Sequence, residues 1–245
     1  MLEQATARQV VVRELGAMVE LAEGLAPEDW ERPTRCPGWT VRDVCAHAAL
    51  AAGQQAEAFR RAVKGVLECP DWPGAPRLPP AEVIDLLHAG RQGLDEALGA
   101  LPAVVVEGVT PMPFGVVPTA IALQIAVYEY AFHVDDARTA LGQASALPAD
   151  VAAAFVAFLP RFAGMLARRA DPGAMTHAYR FVAPSGTVTV APAGDTTLPV
   201  CTVTGPDDAI ALLCMGRIGI GDARLAVDEA ERTVAGAFKR WFPGP

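Results

Sequence analysis

Hydrophobic and polar positions along the chain change rhythm once, near residue 171. Ahead of that point apolar residues recur with the period of a helix; behind it they alternate as in strands. Residues 2–25 carry the 3.6-residue pattern of an amphipathic helix that ends near Gly24 and Pro27. The run Thr40-Val41-Arg42-Asp43 reads as a capping box, in which the Thr40 hydroxyl and the Asp43 carboxylate each accept a backbone N–H that a helix start leaves unpaired. A second helix is therefore expected from there towards Leu67, preceded by a turn over residues 35–39. Five prolines between Cys69 and Pro80 bar regular structure, and a third helix follows over about 81–98. After a loop rich in Pro and Val, a fourth helix starts beyond Pro118, and a fifth spans about 149–169, where Pro160 is expected to kink it. Short connections between long helices imply antiparallel neighbours in a bundle.

Beyond Asp171-Pro172-Gly173, three strands are expected, over 176–183, 186–191 and 198–204, with helices over about 206–215 and 227–241. The chain thus reads as α+β: a helical bundle over residues 1–170 and a smaller α/β domain over 171–245.

Composition narrows the function. Of 245 residues 52% are hydrophobic, enough for a sizeable core, and the net charge of -8 leaves no basic stripe for a phosphate backbone, so nucleic acid is not an expected partner. The first residues show no basic segment followed by an apolar run, and no segment offers about 18 uninterrupted apolar residues. A cytoplasmic protein without a membrane span is the expectation. Five cysteines, with no C-x-x-C spacing, read as free and mostly buried thiols. Lys64 and Lys239 are the only lysines among 20 basic residues, a bias of GC-rich genomes. Ser145 and Ser185 are the only serines, which argues against a serine hydrolase.

The fourth helix pattern carries the chemistry. Glu129 and His133 stand four residues apart in a nearly apolar run, so both point to one face, with Asp136 one turn further along it. Such groups need a charged or hydrogen-bonding partner, because unpaired burial costs several kcal/mol, and a divalent cation would supply one. The second helix offers a third ligand, His47, again a lone polar group in an apolar run on the face of Asp43 and Gln54. Two histidines and one carboxylate suit zinc best, though nickel, cobalt, manganese and iron also accept such donors. A lone histidine on an apolar face is more often a satisfied core residue; the i, i+4 pairing is what favours a metal. His88 and His177 lack such neighbours and read as surface residues. Trp39 is expected to pack in the core and Cys36 to fill a turn. Arg217, at the end of a helix, is the candidate for holding a substrate carboxylate.

The run from Thr34 through Cys36-Pro37-Gly38-Trp39, Val41 and Asp43 to His47 resembles the signature of the mycothiol-dependent maleylpyruvate isomerase family. The later Glu129, His133 and Asp136 stand at the spacing E-x-x-x-H-x-x-D found in that family. The resemblance implies a DinB-like four-helix-type bundle with a divalent metal, usually zinc, on His47, Glu129 and His133, then a sterol-carrier-like domain. Over that second domain it rests on strand-then-helix order and on the segment 212–217. It further implies mycothiol as thiol cosubstrate, in keeping with a GC-rich actinobacterial host. A metal-held thiolate would then act on an electrophilic small molecule, giving isomerisation or an S-conjugate. Asp136 would support His133 or a helix terminus. Two other readings stay open: a non-catalytic small-molecule-binding or resistance protein with the same bundle, and a hydrolase using metal-bound water.

Overall fold

The computed structural model describes residues 1–71, 77–102, 107–145, 147–166, 175–191 and 197–242. Two compact units divide the chain: one of residues 2–146, the other of residues 147–245 together with Met1.

Four helices build the first unit: α1 (Gln4–Glu23), α2 (Val41–Val63), α3 (Pro80–Gly99) and α4 (Thr119–Ala140). The capping box forms as expected: Thr40 Oγ1 accepts from the Asp43 N–H at 3.3 Å, and Asp43 Oδ2 accepts from the Thr40 N–H at 2.8 Å. Pro80 opens α3, where its missing N–H costs nothing. The helices pack in the ring α1–α3–α2–α4, so α1 and α2 lie on one diagonal. Sequence neighbours are therefore not all spatial neighbours, contrary to the expectation. The reason lies in the connections: residues 24–40 include a 3-10 turn, Asp29–Glu31, and a proline–glycine turn, and have the reach to cross the bundle.

Within the described part of the loop expected before α4 lies a hairpin, β1 (Val109–Met112) paired antiparallel with β2 (Gly115–Pro118), which runs directly into α4. Its pairing of Met112 with Gly115 leaves Pro113 and Phe114 as the connection. No Asn-Gly or Asp-Gly signal announces this turn, and two prolines within the strands obscure it.

In the second unit α5 (Ala149–Leu166) keeps Pro160 inside it and packs on β4 and α6 of the same unit. The sequence reading grouped this helix with the bundle; its expected end at 169 and the change of rhythm near 171 lie outside the described residues. The sheet runs in the order β4–β3–β5–β6, from β3 (Ala178–Ala183), β4 (Gly186–Val190), β5 (Val200–Thr204) and β6 (Ala226–Val227), with β3 and β5 parallel and the other pairs antiparallel. Helix α6 (Asp207–Cys214) follows β5. The expected helix over 227–241 is instead β6, a 3-10 turn capped by the Asp228 side chain, α7 (Arg232–Gly236) and α8 (Phe238–Trp241). Tyr179, Phe181, Phe238 and Phe242 form the aromatic core there, with ring centroids 4.8–5.1 Å apart around Phe238. All five cysteines are free thiols, four of them buried. No helix among the described residues is long and apolar enough to cross a membrane.

Alanine is frequent along α2, and this lets α3 approach closely at Gly90. A Cβ there would meet the Ala49 carbonyl oxygen and the Ala52 Cβ, each at 2.9 Å. Gly53, exposed on α2, has nothing within 4 Å of its missing Cβ. Gly90→Ala should therefore destabilise the protein by about 1–2 kcal/mol, overpacking outweighing the gain in helix propensity, whereas Gly53→Ala should stabilise by up to about 1 kcal/mol. Urea denaturation of the two variants, read as midpoint shifts, checks this contrast.

Candidate metal centre

The site lies where α2 meets α4 inside the first unit. Buried polar contacts fix the register of α4 against its neighbours. Tyr130 Oη donates to Gln55 Oε1 of α2 at 2.8 Å, and the Gln124 amide exchanges two 3.0 Å hydrogen bonds with the Leu2 backbone. With α4 held so, Glu129 and His133 face His47. Glu129 Oε1 lies 2.6 Å from His47 Nε2 and 3.5 Å from His133 Nε2. One donor atom from each of the three residues falls within 4.8 Å of the others, close enough for the three to hold one divalent ion.

The other edge of His133 meets a second group. Its Nδ1 is 3.2 Å from Asp136 Oδ2, and Cys36 Sγ donates to that same oxygen at 3.2 Å. Asp136 is fully buried and neighbours the equally enclosed Asp135, and the Arg35 guanidinium pairs with both, at 3.3 Å to Asp136 Oδ1. Ser145 Oγ donates to Asp135 Oδ2 at 2.8 Å. The sequence reading did not single out Arg35 or Asp135. The signal was present in two adjacent acids at the polar edge of an apolar helix, since buried carboxylates demand a cation.

Arg35 and Cys36 arrive on the Cys36–Pro37–Gly38–Trp39 turn. Trp39 N–H donates to the Cys36 carbonyl at 3.0 Å, and Gly38 takes φ +80°, the left-handed value that a turn with proline before it demands at that position. The turn also delivers Trp39. Its ring centroid lies 4.9 Å from that of His47 and 6.0 Å, stacked, from that of His133. Trp39 is part-exposed at the site and not in the core, because the turn projects it over the histidines. Cys36 is buried in the turn and bonds Asp136 as well.

Electrostatics couple the three side chains. Burial pushes the Glu129 carboxyl up, yet the hydrogen bonds and charge of His133 and His47 hold it well below the usual range. Burial would lower His133, but hydrogen bonds to Asp136, Cys36 and Glu129 and the Glu129 charge raise it well above its ordinary value. Without an ion, a proton on His133 thus balances Glu129. Three carboxylates against one guanidinium leave a formal charge of about -2 on the group when both imidazoles are neutral, which a divalent cation cancels. Two imidazoles and a carboxylate suit Zn2+. Arg217 belongs to the second unit, where its guanidinium donates to the Met215 carbonyl at 3.0 Å. His88 is exposed and pairs with Glu23, and His177 bonds its neighbour Thr176.

Loading an ion must displace the His133 proton, so affinity falls as pH drops. The ion-free pair contributes its stability fully above the ordinary Glu value of 4.5 and below the ordinary His value of 6.5; it fades as pH rises through the raised His133 value. Zn2+ should therefore raise the melting temperature more at pH 8 than at pH 6. Co2+ should quench fluorescence from Trp39, and Trp39→Phe should remove the quenched component. Asp136→Asn should weaken Zn2+ binding about 10–100-fold. Calorimetric melts and metal titrations measure all three.

The chain matches the family described as mycothiol maleylpyruvate isomerase N-terminal domain over residues 11–138, more than half its length and including all three donors and the turn. No match is found among curated proteins. Two crystal structures resemble it in fold. One is the mycothiol-dependent maleylpyruvate isomerase, at 17% identity and TM-score 0.69, with 92% of each chain covered. The other is a histidine-to-alanine mutant of a mycothiol-dependent maleylpyruvate isomerase, at 16% identity and TM-score 0.67, with 89% of this chain and 90% of that one covered. A cluster of His47, Glu129 and His133 between α2 and α4 that could hold a metal ion, a helical unit followed by a sheet unit, and a family match over more than half the chain lead to one conclusion: the chain belongs to the mycothiol-dependent maleylpyruvate isomerase family.

Proposed function

We propose that this protein is a metal-dependent, mycothiol-using isomerase acting on an electrophilic small molecule, with maleylpyruvate as the first substrate to test. The observation that carries this reading is the convergence of His47, Glu129 and His133 within 4.8 Å in a chain of this family. A divalent ion on these three donors, Zn2+ by their chemistry, would leave a coordination position for the mycothiol sulfur and favour its thiolate at neutral pH. His47 and His133 offer ring nitrogens, and Glu129 an oxygen. Asp136 fixes the His133 ring by engaging its Nδ1, so that Nε2 faces Glu129. Trp39 lies beside both imidazoles, its ring stacked on that of His133.

The thiol then does the covalent work. Its sulfur adds to the activated cis double bond, and the π electron pair moves onto the conjugated carbonyl oxygen. The former double bond, now single, rotates. Return of the electron pair re-forms the alkene in the trans arrangement and expels the thiol unchanged, with no net transfer of protons or electrons. If the enolate instead took up the proton released by the thiol, the product would be an S-conjugate, the transferase outcome. Arg217 would hold a substrate carboxylate in a two-pronged grip.

Purified protein supplied with Zn2+, mycothiol and maleylpyruvate should form the trans isomer, and omission of either the metal or the thiol should abolish turnover. His47→Ala and Glu129→Ala should each lower kcat/KM at least about 100-fold and lose the ion. Hydrolysis of the substrate without thiol would favour the metal-water hydrolase, and ligand uptake without product a binding protein.

A further inference from the structure

Residues 32–41 form a loop whose backbone is pinned at several points. Pro33 bridges Thr40 in antiparallel fashion, and the Val41 N–H bonds the Arg32 carbonyl at 2.9 Å. The Trp39 carbonyl accepts twice, from the Thr34 N–H and from the Thr34 hydroxyl, each at 2.9 Å. Thr34 Oγ1 in turn accepts from the Cys36 N–H at 3.2 Å, while the Trp39 N–H closes on the Cys36 carbonyl at 3.0 Å. Both polar groups of the Trp39 backbone are thus fixed. The loop runs straight into α2, the helix that carries His47.

The side chain that this frame presents is large, apolar and only part-buried. A tryptophan left partly in water forgoes some of the burial its size offers. What it holds instead is a place at the donors: its ring centroid lies 4.9 Å from that of His47 and 6.0 Å from that of His133, at an interplanar angle of 20° to the latter. The imidazoles occupy part of the indole surface, and the remainder accounts for its exposure. Arg35 and Cys36 on the same loop are committed to Asp135 and Asp136 at the other edge of His133. A rigidly placed aromatic ring is a contact that costs a ligand little ordering.

We propose that Trp39 is a binding residue for the thiol cosubstrate, offering its exposed indole surface to the carbon skeleton of a thiol whose sulfur is held at His47, Glu129 and His133. This rests on the reading of those three residues as the centre that takes mycothiol. The indole centroid lies within 6.0 Å of both imidazole centroids, so a thiol at these donors lies next to the ring. The donors then fix the sulfur, and the loop fixes the wall against which the rest of the molecule packs. Affinity for a large thiol over a small one follows from that wall.

Titrating the full chain at saturating Co2+ with mycothiol and with N-acetylcysteine, followed by thiolate-to-cobalt charge-transfer absorption, separates sulfur binding from skeleton binding. N-acetylcysteine keeps the sulfur end of mycothiol and lacks its sugar part. Trp39→Ala should bind mycothiol about tenfold more weakly, as expected for loss of a large aromatic contact, and N-acetylcysteine within about twofold of wild type. Trp39→Phe, which keeps an aromatic face, should hold mycothiol affinity within about threefold of wild type. Any other pattern in Trp39→Ala, with both thiols weakened equally or mycothiol unaffected, overturns the proposal. Should Trp39→Ala fail to fold, fluorescence of the Zn2+-loaded wild type decides. Mycothiol should then change an emission component that Trp39→Phe lacks, and binding without that change overturns the proposal. If the wild type gives no charge-transfer band with mycothiol, the functional reading falls and this inference with it.

Discussion

A single carboxylate placed between two imidazoles organises the first unit. Glu129 Oε1 sits within 3.5 Å of ring nitrogens from two different helices, so the crossing of α2 and α4 must be held to a fraction of a helical turn. A displacement of one residue rotates a helix by about 100° and would turn Glu129 away from His47. The buried Tyr130–Gln55 hydrogen bond supplies that precision next door, since leaving either group unpaired would cost about 1–3 kcal/mol. Diagonal placement of α1 and α2 belongs to the same constraint, because it is what leaves α2 adjacent to α4. The long segment 24–40 makes that diagonal passage, and it delivers the proline–glycine turn to the site on the way.

Charge explains why the turn must arrive there. Asp135 and Asp136 are almost entirely enclosed, and buried carboxylates without cations would cost several kcal/mol each. Arg35 meets both, and Cys36 and His133 share the remaining oxygen of Asp136. Helix end, turn and metal donors are therefore one hydrogen-bonded unit. Removing a member changes more than its own contact, because each buried group left unpaired carries its own desolvation cost.

What could be read from residue order follows local physics. The capping box, the Pro37-Gly38 turn and the i, i+4 placement of Glu129 and His133 depend on neighbours a few positions away, and each forms as read. Features set by distant partners were illegible. The β1–β2 hairpin is masked by Pro111 and Pro118 within its strands, tolerable because each strand pairs on one side only. Trp39 reads as a core residue by its size, yet its position on a turn decides its exposure. Helix α5 has the apolar period of a bundle helix, and periodicity alone does not say which core it covers; its contacts with β4 and α6 do. The final helix breaks because Asp228 caps a new start and Gly236 ends α7, whereas apolar spacing across 227–241 suggests continuity.

The two histidines are not equivalent, and the difference bears on how the site works. His133 is 10% exposed and fastened on both ring nitrogens, by Asp136 on one and Glu129 on the other. The His47 side chain is 37% exposed, on a different helix, with Glu129 as its charged contact and Trp39 beside it. A fixed donor pair on α4 sets position, while a more accessible donor on α2 and a part-exposed indole form the side open to solvent. On the proposed reading, a thiol cosubstrate would enter from that side, since the opposite one is closed by Cys36, Asp136 and Arg35. The same asymmetry separates two demands that compete in any such centre: rigid placement of donors, which burial provides, and access for a bulky thiol, which burial denies. Distributing the donors over two helices with unequal exposure satisfies both.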